Sequence, residues 1–178
     1  MGLFDGFQGG ENAAVMGIRD ALKEELDRNE WNYEISDESE DGHQETYFYM
    51  RNELENDEPV TAVIVVREYD SVDGFIKIKL YDIAYLEDGE ERAELLAKIN
   101  TWNSEFRYVK ICLDRDQDVV IDIDLPLDLH KGKFQADSVM AMMAVGMRIV
   151  ENIYDDLMNL CTRGHQPRAQ AQFEQQQE

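Results

Sequence analysis

Cysteine, proline and basic residues are scarce in this chain of 178 residues. Two cysteines cannot form a network of disulfides, so we expect a reducing compartment, most simply the cytoplasm. Lysine and arginine number 17 against 39 aspartates and glutamates, which gives a formal net charge of −22. Because a strongly acidic protein repels phosphate groups, this composition argues against nucleic-acid binding and against docking on anionic lipid.

Long apolar runs are also missing. The most apolar segment, residues 138–150, spans about 13 residues and includes Arg148, whereas a membrane helix needs about 20 apolar residues. The first residues of the chain have neither the basic region nor the continuous apolar region of a secretory signal. We therefore expect a soluble protein that has no membrane partner.

The chain nevertheless has enough apolar residues to fold. Leucine, isoleucine, valine and phenylalanine make up about a quarter of it, above the roughly one-fifth that is typical of disordered chains. Its length fits one domain with short additions. We predict a flexible glycine-rich arm at residues 1–11, a single domain at 12–163, and a disordered glutamine-rich tail at 164–178.

Apolar periodicity predicts a helix and then four strands in the first half of the chain. Ala14, Ile18, Leu22 and Leu26 recur every four residues, as on one face of a helix that begins near Asn12 and ends near Asn29. The strands are predicted at residues 31–35, 45–51, 60–69 and 75–83, separated by acidic loops at 36–42 and 53–59 and by a turn at 70–74. The third of these strands is apolar on both faces, which is typical of a central strand. In the second and fourth strands the residues opposite the apolar face are Tyr47, Tyr49, Lys77, Lys79 and Tyr81.

The second half is predicted to contain a helix, a hairpin and a last helix. The helix begins near Asp88, and its apolar stripe is formed by Leu95, Ile99, Trp102 and Phe106. The hairpin has strands at 108–113 and 119–125 around a turn centred on Asp116, which pairs Lys110 with Asp122, Ile111 with Ile121 and Val109 with Ile123. The fold class is therefore α+β, an antiparallel sheet with packed helices in the order α-β-β-β-β-α-β-β-α.

The last helix, predicted from Phe134 to Cys161, is unusually long and apolar. About 28 residues would span about 42 Å. Apolar residues outside its main stripe are Met140, Ala141, Ala144, Val145 and Met147. The sheet can cover one side of such a helix, and a second copy of the chain is the natural cover for the other. We therefore predict a homodimer whose candidate interface consists of Met143, Gly146, Ile149, Val150, Ile153 and Leu157. A ligand groove lined by the methionines of 140–147 is the less favoured alternative.

No group of residues predicts a catalytic, cofactor or metal site. Asp114, Asp116 and Asp118 have the spacing that opens a calcium loop, but Val119 and Leu125 occupy the positions where that loop needs glycine and glutamate. A hairpin turn is therefore favoured over a metal site at these aspartates. For Glu38, Glu40 and Asp41, solvated loop charges are likewise favoured over metal ligands. The histidines are far apart, at His43, His130 and His165. A metal-dependent hydrolase that uses the acidic loops remains the alternative to a protein without enzymatic activity.

One block of the chain resembles a known family. Its segments are Ile99-Asn-Thr-Trp102-Asn103, Phe106-Arg-Tyr-Val-Lys110, Leu113-Asp114, Asp118-Val119-Val120 and Asp124-Leu125-Pro126. These segments resemble the YbjN-like family, which is assigned to bacterial sensory transduction and is similar in fold to type III secretion chaperones. The resemblance implies a small acidic homodimer, chaperone-like or regulatory, that binds a protein or peptide partner and catalyses nothing. It assigns no residue to a binding site.

Overall fold

The computed structural model describes residues 11–40, 43–67, 75–87, 92–126 and 135–163. Their order confirms the predicted α+β fold and adds a two-residue strand at the end. The elements are α1 (Glu11–Arg28), β1 (Glu34–Glu40), β2 (His43–Glu53), β3 (Pro59–Arg67), β4 (Phe75–Tyr85), α2 (Arg92–Glu105), β5 (Lys110–Leu113), β6 (Asp118–Pro126), α3 (Ala136–Met158) and β7 (Thr162–Arg163). The predicted arm apart from Glu11, which begins α1, the whole predicted tail, the turn at 70–74 and the helix start at Asp88 lie outside the described residues.

The strands form one antiparallel sheet in the order β1-β2-β3-β4-β6-β5, and β7 pairs with the end of β4. The predicted central position of β3 is confirmed, because β3 has two strands on one side and three on the other. After β4 the chain passes through α2 to the edge strand β5 and returns by a hairpin to β6. This hairpin has the predicted pairs Lys110 with Asp122 and Ile111 with Ile121.

One face of the sheet, called here the core face, packs against all three helices. Its buried residues include Phe48, Ile64, Ile78 and Ile121, and these belong to a single apolar cluster with the buried residues of the helices. From the helices the cluster receives Ile18, Leu22 and Leu26 of α1, Leu95, Ile99 and Trp102 of α2, and the stripe of α3. The described residues therefore share one hydrophobic core.

Helix α3 lies close to the sheet at Gly146. A Cβ atom added at Gly146 would lie 3.0 Å from Ile123 Cδ1 and 3.1 Å from Leu80 Cδ1. The helix has 23 residues, shorter than predicted because it begins at Ala136 and ends at Met158. Those residues span about 35 Å, and the missing side chain at Gly146 lets the middle of the helix approach β4 and β6.

The edge strand β5 is held to the end of α2 by the side chain of Asn103. Its amide nitrogen donates a hydrogen bond to the carbonyl oxygen of Ile111 at 2.9 Å, and its oxygen accepts one from the backbone N–H of Ile111 at 2.8 Å. The amide of Asn103 thus pairs with both backbone groups of one residue, as a neighbouring strand would. This gives a structural role to the last asparagine of the segment Ile99–Asn103.

Several predicted boundaries are wrong, and the largest error concerns β1. Residues 36–40, predicted as part of an acidic loop, pair with β2 instead. Asp37 lies opposite Thr46, and its carboxylate accepts hydrogen bonds from Thr46 Oγ1 at 2.7 Å and from Arg19 Nη2 at 3.0 Å. Because these partners compensate the charge, an acidic segment can extend the sheet.

Smaller errors occur at element ends. Helix α1 begins at Glu11, so Asn12 lies inside it rather than at its start. Tyr108 and Val109 precede β5, so the predicted pair of Val109 with Ile123 is not formed. Tyr108 has a φ of 67°, which is a left-handed conformation that a strand cannot continue. Phe106 follows α2 and packs on the core as a partly buried residue.

Candidate functional site

The acidic turn between β5 and β6 is a hairpin turn, as predicted. One carboxylate oxygen of Asp114 accepts hydrogen bonds from the backbone N–H of Asp116 at 2.8 Å and of Asp118 at 3.0 Å. Within the ranges that the structure describes, no three histidine, cysteine, aspartate or glutamate side chains are placed to hold a metal ion. Glu38 belongs to β1, while Asp41, His130 and His165 lie outside these ranges.

The face of the sheet opposite to the helices is called here the open face. By strand register it includes Glu34, Ser36 and Glu38 on β1; Glu45, Tyr47, Tyr49, Arg51 and Glu53 on β2; Pro59, Thr61, Val63, Val65 and Arg67 on β3; Lys77, Lys79 and Tyr81 on β4; Asp118, Val120, Asp122 and Asp124 on β6; and Lys110 and Cys112 on β5. In the described part of the chain, all three helices pack on the core face and leave the open face without a helix.

Three valines at the centre of the open face are buried although none of the described helices covers them. Val63, Val65 and Val120 are 3%, 7% and 3% exposed, and none of them belongs to the core cluster. In the register of the sheet, Tyr49 flanks Val63 and Tyr47 flanks Val65. The two tyrosine rings stack with centroids 6.0 Å apart. The centre of this face is therefore apolar and aromatic rather than polar.

Lysines and aspartates alternate across β4, β6 and β5 on the open face. Lys79 Nζ lies 3.5 Å from Asp122 Oδ1, and Lys77 Nζ lies 3.6 Å from Asp124 Oδ1 and 3.8 Å from Asp122 Oδ2. Lys110 Nζ lies 3.4 Å from Asp124 Oδ2. Lys79 also lies 5.3 Å from the centre of the Tyr81 ring, within the range of a cation–π interaction. We call these five charged residues the lysine–aspartate ladder.

Burial changes the acidity of the tyrosines on the open face. Desolvation, followed by the negative charge of Glu38, raises the pKa of Tyr49 to about 12. The pKa values of Tyr47 and Tyr81 are also raised, chiefly by burial. Neutral hydroxyl groups on these rings can donate hydrogen bonds at any physiological pH.

The raised pKa of Tyr49 predicts a loss of stability in alkali. Below about pH 10 its phenol is neutral in both the folded and the unfolded chain, so its ionisation does not lower the free energy of unfolding. Between pH 10 and about 12 the unfolded chain loses this proton first, which favours unfolding. We expect the urea midpoint of the wild type to fall more from pH 9 to pH 11 than that of Tyr49→Phe. Tyr108→Phe, at a residue that is 78% exposed, should follow the wild type. Equal falls for Tyr49→Phe and the wild type would contradict the assignment.

A second surface lies on the side of α3 that faces away from the sheet, called here the outer face of α3. Ala141, Ala144 and Val145 are exposed there, Val145 by 38%, and Met140 and Met147 are partly buried. These are the five residues whose positions outside the stripe were predicted from the sequence. Flexible methionine side chains are common on surfaces that bind partners of varied shape.

The six residues of the candidate dimer interface lie inside a single chain. Met143, Gly146, Ile149, Val150, Ile153 and Leu157 are all buried in α3. Their cover is the core face of the chain's own sheet, so burial of this stripe does not require a second copy. The dimer itself remains a prediction, and a dimer would need a surface outside this stripe.

Sequence reasoning identified the outward residues of β2 and β4 but not the open face as one surface. The signal was present, because β3 is apolar on both faces while only one face can meet the helices of a two-layer α+β domain. The alternation of lysine and aspartate becomes visible only once β6 is known to pair with β4, since these strands are separated by α2 and β5.

Comparison with known proteins agrees with the resemblance found in the sequence. Residues 82–158 match the model of the YbjN family, whose description is "Putative bacterial sensory transduction regulator". This segment runs from the end of β4 through α2, β5 and β6 to the last residue of α3. The resemblance to the YbjN family is thus confirmed over these residues. No curated protein and no solved structure matches the chain, so the fold likeness to secretion chaperones is not confirmed.

No described helix combines the length and the apolar character needed to cross a membrane.

Proposed function

We propose that this protein is a non-enzymatic regulatory adaptor that acts as a cytoplasmic homodimer and binds a protein or peptide partner. The observation that carries the proposal is the match of residues 82–158 to a family of regulators. That segment contains α2, β5, β6 and α3, so it includes the outer face of α3 and, of the lysine–aspartate ladder, Lys110, Asp122 and Asp124. The free cysteines Cys112 and Cys161 are consistent with a reducing compartment.

We assign the partner to the outer face of α3. Exposed Ala141, Ala144 and Val145 give this helix an apolar strip on its solvent side, and the partly buried Met140 and Met147 border it. A chaperone-like adaptor would hold an apolar segment of its partner along such a strip. Met140 and Met147 also pack against the edge of the core, whereas Val145 does not belong to the core cluster.

The proposed function is tested by comparing what two helix-surface variants retain from native cytosol. Tagged wild-type protein should retain one protein at a stoichiometric level, and Val145→Glu should lose it because a charge is placed in the apolar contact. The matched control is Leu96→Glu on α2, where the residue is 43% exposed and lies outside the proposed contact. Both variants should melt like the wild type. Retention of the partner by Val145→Glu would overturn the assignment to α3, and the absence of any retained protein would overturn the adaptor function.

A further inference from the structure

The outer face of α3 is a stretch of surface without carboxylates on a strongly acidic chain. Aspartate and glutamate make up 39 of the 178 residues. From residue 138 to residue 152 of α3, however, no exposed residue is acidic, and the stretch covers about 21 Å of helix. Its exposed residues are Ser138, Ala141, Ala144, Val145, Arg148 and Asn152. A segment that is apolar and nearly uncharged therefore fits this surface.

Residues 1–10 of the chain have this chemistry. Leu3, Phe4 and Phe7 are large and apolar, and Asp5 has the one charged side chain among the ten residues. Burial of large apolar side chains stabilises a contact. Because the segment belongs to the same chain, its effective concentration at the face is on the order of millimolar, so a weak contact is sufficient. A second copy of the chain would instead bring a net charge of −22 to the surface.

Helix α1, which follows residues 1–10, begins at the end of the sheet where β6 ends. By register, residues of four neighbouring strands form one row there, called here the Pro126 end of the sheet: Glu45, Arg67, Phe75 and Pro126. Arg19 of α1 reaches Asp37, which lies next to this row, with Nη2 3.0 Å from Oδ2. The chain then leaves α1 and enters β1 at Glu34. Helix α1 thus runs antiparallel to β1, and Glu11 lies at the Pro126 end.

Helix α3 begins at the same end of the sheet. Gly146 lies beside Leu80 and Ile123 at the middle of the helix. Further along, the carboxylate of Glu151 accepts a hydrogen bond from the backbone N–H of Glu55 at 3.1 Å. Glu55 lies between β2 and β3, at the opposite end of the sheet. The first half of α3, which carries the outer face, is therefore near the Pro126 end, and α1 packs beside α3.

Residues 1–10 are long enough to reach the outer face of α3. Ten extended residues span at most about 33 Å. From Glu11 the segment has to return over the part of α1 that precedes Arg19, about 12 Å of helix, and packed helices lie about 10 Å apart. Gly9 and Gly10 stand directly before α1, and glycine permits the reversal of the chain that this path needs.

We propose that residues 1–10 turn back at the two glycines before α1 and place their three large apolar side chains on the outer face of α3, where a bound partner displaces them. The inference rests on the proposed function, because the displaced contact is the one assigned to the partner there. The chain thus covers its own apolar surface when no partner is bound. Residues 164–178 are a less suitable occupant, since they contain one large apolar side chain, Phe173, and follow β7 at the end of the sheet opposite Pro126.

The contact is tested in the full chain by NMR of methionine methyl groups. The phenyl rings of Phe4 and Phe7 shift the signals of methyl groups that they touch. The variant Leu3→Ser with Phe4→Ser and Phe7→Ser, called here the triple serine variant, should therefore move the signals of Met140 and Met147, which border the outer face. Moved signals support the contact.

Two controls show that the shift is local. The signals of Met50 and Met143, each 1% exposed and part of the core, should stay where they are in the triple serine variant. The matched variant Phe173→Ser removes a phenyl ring from the other end of the chain, and it should leave all the methionine signals of α3 unchanged.

Dye binding tests whether the segment covers the face. Anilinonaphthalene sulfonate fluoresces on exposed apolar surface, so its fluorescence with the triple serine variant should be at least about twofold that with the wild type. Adding Val145→Glu to the triple serine variant should remove this increase. Adding Leu96→Glu instead, at a residue of α2 that is 43% exposed, should preserve it. Equal fluorescence for the wild type and the triple serine variant would overturn the covering of the face.

The outcomes separate this inference from the proposed function. Circular dichroism shows whether each variant folds, and Phe4→Ser alone replaces the triple serine variant if that variant does not fold. Unmoved signals of Met140 and Met147 in a folded variant would overturn the contact, whatever the partner does. A contact that forms in a protein that retains no partner would overturn only the adaptor function. Equal retention of a partner by the wild type and the triple serine variant would overturn the displacement.

Discussion

Replacing Trp102 with alanine should lower the free energy of unfolding by about 3–5 kcal/mol, which corresponds to a fall of about 10 °C in Tm. Trp102 is 6% exposed and joins the buried residues of α2 to the core face of the sheet. Removing its ring leaves a cavity. The surrounding helices and sheet are already packed against one another, so they can close this cavity only in part. Urea unfolding followed by circular dichroism measures the loss.

The control for this prediction lies on the same helix. Leu96 is 43% exposed, so Leu96→Ala should change the free energy of unfolding by less than about 0.5 kcal/mol. Trp102 belongs to the block that carries the family resemblance, and its predicted effect is on folding. Retained stability in Trp102→Ala would show that this residue has a role outside the core.

Gly146→Leu should destabilise the protein by about 3 kcal/mol, because the new side chain has no space between α3 and the sheet. Even a Cβ atom would lie 3.0 Å from Ile123 Cδ1 and 3.1 Å from Leu80 Cδ1, and a leucine adds three more carbon atoms. The urea midpoint should fall while the mass by light scattering stays that of the wild type.

Gly17→Ala on α1 is the matched control for the change at Gly146. No atom lies within 4 Å of the position of its Cβ, so alanine should stabilise the helix by up to about 1 kcal/mol. A change in mass for Gly146→Leu without a loss of stability would place Gly146 between two copies. The six-residue interface predicted from the sequence would then be correct.

Those parts of the fold were predictable from the sequence whose residue pattern is compatible with a single arrangement. The apolar stripe of α3 and the alternation of apolar and polar residues in β4 each bury one face. Both elements and the residues on their buried faces were therefore predicted correctly. Residues 36–40 were not recognised as a strand, because their acidic side chains resemble a loop. Their pairing depends on Thr46 and Arg19, which come from other elements, and no local pattern contains that information.

The candidate site was predictable only in part for a similar reason. The apolar positions of α3 were found, but their division between core and surface depends on how much of the helix the sheet covers. The stripe that includes Met143 and Ile149 was predicted as the interface with a second copy; these residues are buried within a single chain, and the interface stays a prediction. The open face needed the pairing of β4 with β6, which the intervening α2 and β5 conceal.

The amide of Asn103 has a consequence for how large an assembly of this protein can become. A sheet with a free edge can recruit strands from further molecules one after another and grow into a fibre. At β5 the backbone of Ile111 is already occupied by Asn103, and at the opposite edge β1 carries a row of carboxylates that repels an identical strand. Growth from edge to edge is therefore hindered at both ends of the sheet, and this protects the chain from fibre formation.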